Sequence, residues 1–370
     1  MRRTDYAIVG GGLVGMALAW GLQRQGRRVT VFDEGDLAFR AARGNFGLVW
    51  VQGKGVGMPN YARWTRLSAS LWPGFADELE GETGVPLQLS KPGGLDFCLT
   101  ERELDDSAVA FQGLRDALGG EYPFERLNAD EVRKMVPAAS GDFAGAILGP
   151  EDRHCSPLNL LRALTQAFVL AGGNIENGAA VRAIKPEAGA FTLDNGGAWR
   201  ADRVVLCAGL GNAVLAPMVG LDAPVRPNRG QLLITERVKP FLDYPSVHVR
   251  QTGDGTLQIG ASQEDVGFDD GTLPQAVGQI AARAMRIFPI LENVRVVRSW
   301  GALRVMSPDG HPIYDQSSAY PGAFVVTCHS GVTLAAAHAL VLARWIADDS
   351  HGIPYLESFS AERYRLSRTG

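Results

Sequence analysis

Cysteine is scarce in this chain, with four residues in 370, at positions 98, 155, 207 and 328. None falls in a CxxC pair, which excludes a disulfide-built scaffold and supplies no familiar ligand set for zinc or an iron–sulfur cluster. Cys98, Cys155 and Cys207 read as small buried hydrophobes. Charge of one sign is not in excess either: 36 basic against 40 acidic residues leave a formal net charge of −4. With no basic block interleaved with aromatics, nucleic acid and anionic membrane surfaces are not expected as partners. Long apolar runs are missing as well. The best candidate, Val332 to Ile346, carries His338 and Arg344 and reads as a buried helix, so no integral membrane segment is expected. A strand-like run begins almost at Met1, leaving no room for a signal peptide and pointing to a cytoplasmic protein. No HExxH or P-loop motif occurs, and no metal site is expected. What is plentiful is apolar residues, at 46%, enough for the core of one large or two interlocked domains.

The chain opens on one βαβ unit. Asp5-Tyr6-Ala7-Ile8-Val9 is a short apolar strand, Gly10-Gly11-Gly12-Leu13-Val14-Gly15 a glycine turn, and Met16 to Leu22 a run of helix formers. Arg28 to Asp33 then reads as the second strand. In this GxGxxG pattern Gly10 permits the tight turn, Gly12 lets a pyrophosphate approach the backbone, and Gly15 lets the helix pack on the strand. Unpaired N–H groups at the helix start, from Leu13 and Val14, favour the phosphate charge. Asp33, followed by Glu34, stands where a carboxylate can take both ribose hydroxyls. The pattern alone specifies a dinucleotide without separating FAD from NAD.

Later segments make that distinction. Val204 to Gly209 is a buried strand ending in small residues, including Ala208 and Gly209. Ala323 to Cys328 is another, breaking at His329-Ser330-Gly331 before Val332, Thr333 and a long helix. Strand-to-small-residue turns spread over the whole chain suit one extended ligand gripped by distant segments. These stretches occur in order with Arg43-Gly44-Asn45-Phe46-Gly47, Arg229-Gly230-Gln231 and Trp300-Gly301-Ala302-Leu303-Arg304. In that combination the sequence resembles the D-amino-acid oxidase family of FAD-dependent oxidoreductases, which includes glycine oxidase and sarcosine oxidase. Asn45 to Gly55 and Cys328 to His338 look closest to the flavin-bearing β subunits of bacterial hydroxyproline dehydrogenases and opine oxidases. Arg229 to Leu232 and Leu257 to Phe268 are similar to hydrogen cyanide synthase.

The resemblance implies an α/β fold with a Rossmann-like FAD-binding domain interwoven with an α+β, mixed-sheet substrate domain. The FAD-binding domain would take 1–80, 148–222 and 305–370, and the substrate domain 81–147 and 223–304. Local patterns agree: a helix over Leu158 to Ala171 behind Ser156-Pro157, strands at 174–176 and 180–184, and short strands at 230–234, 247–250 and 257–260. By resemblance, FAD binding falls to Gly10, Gly12, Leu13, Val14, Gly15, Asp33, Glu34, Arg43, Asn45, Phe46, Gly47 and Leu48, with Val181 meeting the adenine through its backbone. Ala208, Gly209, Ser330, Gly331, Val332 and Thr333 complete the set. Arg304 matches the arginine that pairs with the substrate carboxylate. A planar guanidinium gives a carboxylate two parallel N–H donors and so fixes direction as well as charge. His248, placed on a strand, faces the substrate or is a core histidine; His329 touches flavin or substrate, or packs under the last helix. Cys328 raises a covalent flavin link, but non-covalent FAD is the expectation. Lys54 reads as a solvated loop lysine ahead of a role in tuning the ring or activating oxygen.

The leading expectation is oxidation of a small amino or imino acid, such as D-hydroxyproline or an opine, by hydride transfer from the carbon next to nitrogen to flavin N5. An imine results. The resemblance implies a hetero-oligomer in which electrons leave through a partner carrying a second flavin or an iron–sulfur cluster, and through it a peripheral place at the inner membrane. Three alternatives stand beside it: a free-standing oxidase of glycine or D-amino acids using oxygen, a 2-hydroxy-acid dehydrogenase, and a non-catalytic electron-transfer flavoprotein.

Overall fold

The computed structural model describes residues 2–35, 41–42, 44–348 and 352–366. Strand β1 (Arg2–Val9) lies at the centre of the largest sheet, with β2 (Val29–Asp33) on one side and Ala198–Leu206 on the other, both parallel to it. Asn174–Asn177 extends the sheet in parallel beyond β2, and Ala323–Thr327 beyond Ala198–Leu206. The antiparallel Ile313–Gln316 closes that edge. Such strands are covered on both faces, so Ala7 to Val9 is an unbroken apolar run, and Val29 to Asp33 are buried at every position, Thr30 and Asp33 included.

Helix α1 (Leu13–Gln23) packs on this sheet and on the long helix α2 (Pro59–Thr83), where Trp20 meets Phe75 edge-on at 5.7 Å. Proline at its first position starts α2, and Gly84 in a left-handed conformation ends it. Its buried stripe of Tyr61, Trp64, Ser68, Trp72, Phe75 and Leu79 advances by three or four residues per step, as one helix face requires.

Two smaller sheets lie apart. One joins Gly94–Cys98, Gly145–Gly149 and Glu125–Asn128. The other runs in the order Val249–Gln251, Leu257–Gly260, Arg226–Thr235, Val296–Met306, all antiparallel. The mixed α/β architecture expected from the sequence is therefore present.

Three local expectations need correction. The strand expected at 180–184 begins only at Ala183, leaving Val181 in the connection before it, packed against the core. Val247 and His248 precede their strand, which starts at Val249, because the Ser246 hydroxyl accepts from both the His248 and Val249 N–H groups and bends the chain there. The final helix starts at Ala335, not Val332, and runs to Ala347 through a π-helical stretch at His338–Leu342. Gly331 to Leu334 form a turn in front of it. Among the described residues, no helix is long and apolar enough to cross a membrane.

Candidate flavin and substrate site

The parallel strands of the large sheet end together at Val9, Leu206 and Thr327, and each is followed at once by a glycine-bearing turn. Ligands of open α/β sheets gather at this carboxyl edge. Gly10 has φ +108°, and a Cβ there would stand 2.4 Å from the Cys207 carbonyl, so the first two turns touch. A Cβ on Gly15 would lie 1.9 Å from the Gly10 carbonyl, which is why the helix can close on the turn only with glycine. Gly12 is the opposite case: a Cβ would meet nothing within 4 Å. Its backbone faces open space at the start of α1, where the N–H groups of Gly12, Leu13 and Val14 have no acceptor among the described residues. Asp33 accepts from the N–H groups of Gly11, at 2.7 Å, and Gly35, at 2.8 Å, which pins its carboxylate beside this opening. Glu34 is exposed next to it. The open backbone at Gly12, the donors without an acceptor and the fixed carboxylate fit the pyrophosphate and ribose of a dinucleotide. Ala208 and Gly209 sit on the neighbouring turn, where the Asn212 side chain holds the Ala208 N–H. Arg43 lies outside the described residues.

A cavity of about 440 Å³ opens between the large sheet and the four-stranded sheet. One wall is Asn45, Phe46, Leu48 and Trp50, with Ser330, Val332 and Thr333 alongside. The N–H groups of Gly331, Val332 and Thr333 have no acceptor among the described residues. Thr333 is tied down by everything else it has. Its hydroxyl donates to the Leu48 carbonyl and accepts from the Trp50 N–H, while its carbonyl accepts from Ser68 and Trp72. Gly47 is buried behind the wall, its N–H held at 2.7 Å by Asn45 Oδ1. This rigid, donor-rich turn over an apolar wall fits the polar edge of a flavin ring.

Arg304 stands on the opposite wall, on strand Val296–Met306. Its Nη1 donates to Asn228 Oδ1, the Arg229 carbonyl and the Ser262 carbonyl at 2.9–3.2 Å. No partner for Nη2 or Nε exists among the described residues, and burial pulls the guanidinium below its ordinary pKa. It lies flat on Gly230, where a Cβ would be 2.4–2.6 Å from its guanidinium atoms. The flanking Arg229 and Gln231 brace this shelf. Arg229, 1% exposed, pairs with Glu264 at 2.7 Å and Asp269 at 2.6 Å, and Gln231 donates to Glu264 at 2.7 Å.

His248 and His329 both line the cavity. Burial, reinforced by nearby Arg283, lowers His248 to about 4; burial, with Lys54 and Arg304 close by, lowers His329 to about 3. Both imidazoles are neutral at pH 7 and offer hydrogen bonds without charge. Cys328 is half-buried on the same wall, its thiol pushed up by burial to about 12 and so held as the weakly nucleophilic neutral form. The other three cysteines are buried, as expected.

The solvated-loop reading of Lys54 is wrong. Its side chain lines the cavity, Nζ donates to Ser330 Oγ at 2.8 Å, and burial lowers the ammonium to about 8. Tyr61 also donates to Ser330 Oγ, at 2.8 Å. The loop is drawn inward by Asp152, fully buried, whose carboxylate accepts from the N–H groups of Val51 and Gln52 and from Gln52 Nε2. Tyr61, Asp152, Asn228 and Gln263 were all missed from sequence. Only Asn228 carried a signal, standing next to Arg229-Gly230-Gln231.

Known proteins place this arrangement. An opine oxidase subunit of Agrobacterium tumefaciens is 41% identical, with 100% of both chains covered. The corresponding opine oxidase subunit of Rhizobium meliloti is 41% identical over 98% of both. The crystal structure of glycine oxidase from Geobacillus kaustophilus superposes with a TM-score of 0.90 at 27% identity, covering 97% of this chain and 98% of that one. A family model, DAO, FAD dependent oxidoreductase, matches residues 5–345. The glycine turns, the cavity they frame and these full-length similarities together put the chain in the DAO family of FAD-dependent oxidoreductases.

Proposed function

We propose that this flavoprotein oxidises a small amino or imino acid at the carbon next to nitrogen, with N-substituted amino acids of the opine type as the favoured class. The observation that carries this is Arg304, a half-buried guanidinium with one nitrogen anchored by three acceptors and no partner for the rest of its donors among the described residues. A carboxylate is the group that answers such a fork. When bound, FAD supplies the electron-pair acceptor that turns the C–N bond into an imine, which water then hydrolyses. The chain's own part is placement. Arg304 fixes the carboxylate, the neutral His248 and His329 offer hydrogen bonds to the amine, and Phe46, Leu48 and Trp50 keep the wall dry.

The 41% identity to two opine oxidase subunits supports a catalytic chain that works with partners. Electrons would pass to a partner-borne second flavin or iron–sulfur cluster, with the assembly at the inner membrane surface. FAD is held without a covalent bond in this reading. The test is an anaerobic screen for flavin bleaching over D- and L-amino acids, cyclic imino acids, N-alkyl glycines, opines and hydroxy acids. Bleaching by amino or imino acids is expected; bleaching by hydroxy acids alone, or by none, overturns the reading. Turnover with a dye acceptor well above peroxide release is expected of a dehydrogenase and not of an oxygen-using oxidase.

A further inference from the structure

Among the described residues, two charged side chains line the cavity, and both are cations. Lys54 comes from the loop ahead of α2, and Arg304 from the four-stranded sheet. No Asp or Glu of the described residues is on the cavity wall. Asp152 lies close enough to support the Lys54 charge, but its oxygens are taken up by Val51 and Gln52. The Lys54 ammonium has three donors and spends one on Ser330 Oγ; the other two have no partner among the described residues. Arg304 disfavours the Lys54 charge, and His329 feels both cations. Two like charges partly withdrawn from water around one space, each with spare donors, are a costly arrangement unless anionic groups arrive with the ligand. One carboxylate satisfies Arg304 and leaves the two spare donors of the ammonium without an acceptor.

We propose that Lys54 is a second carboxylate anchor, facing Arg304 across the cavity, and that the site selects secondary amines carrying a carboxylate on each side of the nitrogen. This rests on the amino-acid reading above and assigns the second carboxylate of its opine-type class to a residue of this chain. Arg304 takes the first carboxylate through its fork. Lys54, steered by Ser330 and Tyr61, takes the second as a point charge, which tolerates variation in the linking chain. Lys54 is then a specificity residue, not a proton acceptor for the substrate amine.

The FAD-loaded protein can be titrated with two thioethers that mimic the amine but cannot be oxidised at nitrogen: thiodiglycolate, with two carboxylates, and methylthioacetate, with one. Flavin absorbance changes and calorimetry report Kd without turnover. In the wild type thiodiglycolate should bind about tenfold or more tightly than methylthioacetate, the size of one charge-assisted hydrogen bond. Lys54→Met should bring the ratio to within about twofold, and Lys54→Arg should keep most of it, with flavin content and melting temperature checking the fold of each. A wild-type ratio near one, or a ratio that survives Lys54→Met, overturns the second anchor while leaving the amino-acid reading intact. Failure of both ligands to bind overturns the two together. Lys54 acting as a base would instead slow flavin reduction by mono- and dicarboxylate amines alike and leave the ratio unchanged, which also refutes the proposal.

Discussion

Replacing Arg304 by lysine keeps the charge and removes the fork. In the native site Nη1 alone serves three acceptors, Asn228 Oδ1 and the carbonyls of Arg229 and Ser262, which leaves Nη2 and Nε for a ligand. Nη1 shares two protons among these anchors and leaves three for a ligand, whereas a lysine ammonium has three protons in all, so any it turns toward a carboxylate is taken from the anchors. At least one charge-assisted hydrogen bond to the ligand is lost, about 1.5–3 kcal/mol. That corresponds to roughly a 10- to 150-fold weaker Kd for carboxylate ligands. Anaerobic stopped-flow reduction should show the half-saturating concentration rising by this factor, with a much smaller change in the limiting rate. FAD content should stay at wild-type level, since Arg304 stands on the wall opposite the glycine turns. Unchanged ligand affinity in Arg304→Lys would refute both the assignment and the donor count behind it.

Gly12→Val should fold as well as wild type, because residue 12 has φ −76° and a Cβ there meets nothing within 4 Å, yet it should purify depleted of FAD. Full flavin content in that variant would remove the pyrophosphate from this turn. Asp152→Asn tests the buried acid. Burial raises Asp152 from 3.8 to about 7, so the folded chain holds its proton more tightly than the unfolded chain. Its contribution is fullest below about pH 4 and is lost as pH rises through 7, with a slope of at most about 1.4 kcal/mol per pH unit. Urea midpoints between pH 4 and 7 should fall less steeply in the asparagine variant, and equal slopes would count against this origin. Acid precipitation should leave a yellow supernatant, since a thiol held near 12 does not favour covalent attachment; colour in the pellet would reverse that.

Much of the fold was written in local pattern. The opening βαβ unit, the helix after Ser156-Pro157 and the strand ending at Thr327 all follow from apolar periodicity and punctuation by glycine and proline. Arg304 emerged from its motif, and its neighbour Gly230 has since acquired a reason, as the flat surface on which the guanidinium lies. Lys54 could not be read this way. Between two glycines it has the composition of a surface loop. Its burial depends on Asp152, one hundred residues beyond its loop neighbour Gln52, drawing the loop inward, and on Ser330, 276 residues away, accepting a hydrogen bond from it. No periodicity carries contacts of that range. His248 was misplaced for a smaller reason: one serine hydroxyl delays the start of the strand to Val249.

The glycine at position 21 has so far been only a member of α1. A Cβ there would stand 2.1 Å from the carbonyl of Ala339, inside the π-helical stretch of the last helix. The two helices are thus seated backbone to backbone. One begins at the Gly12 turn and the other behind the Gly331 turn, so the two donor-bearing turns behave as jaws of a single vice with a fixed gap. A bulkier residue at 21 would spread the jaws without touching either one. FAD affinity would then register a change made deep in the core, far from any atom the cofactor meets.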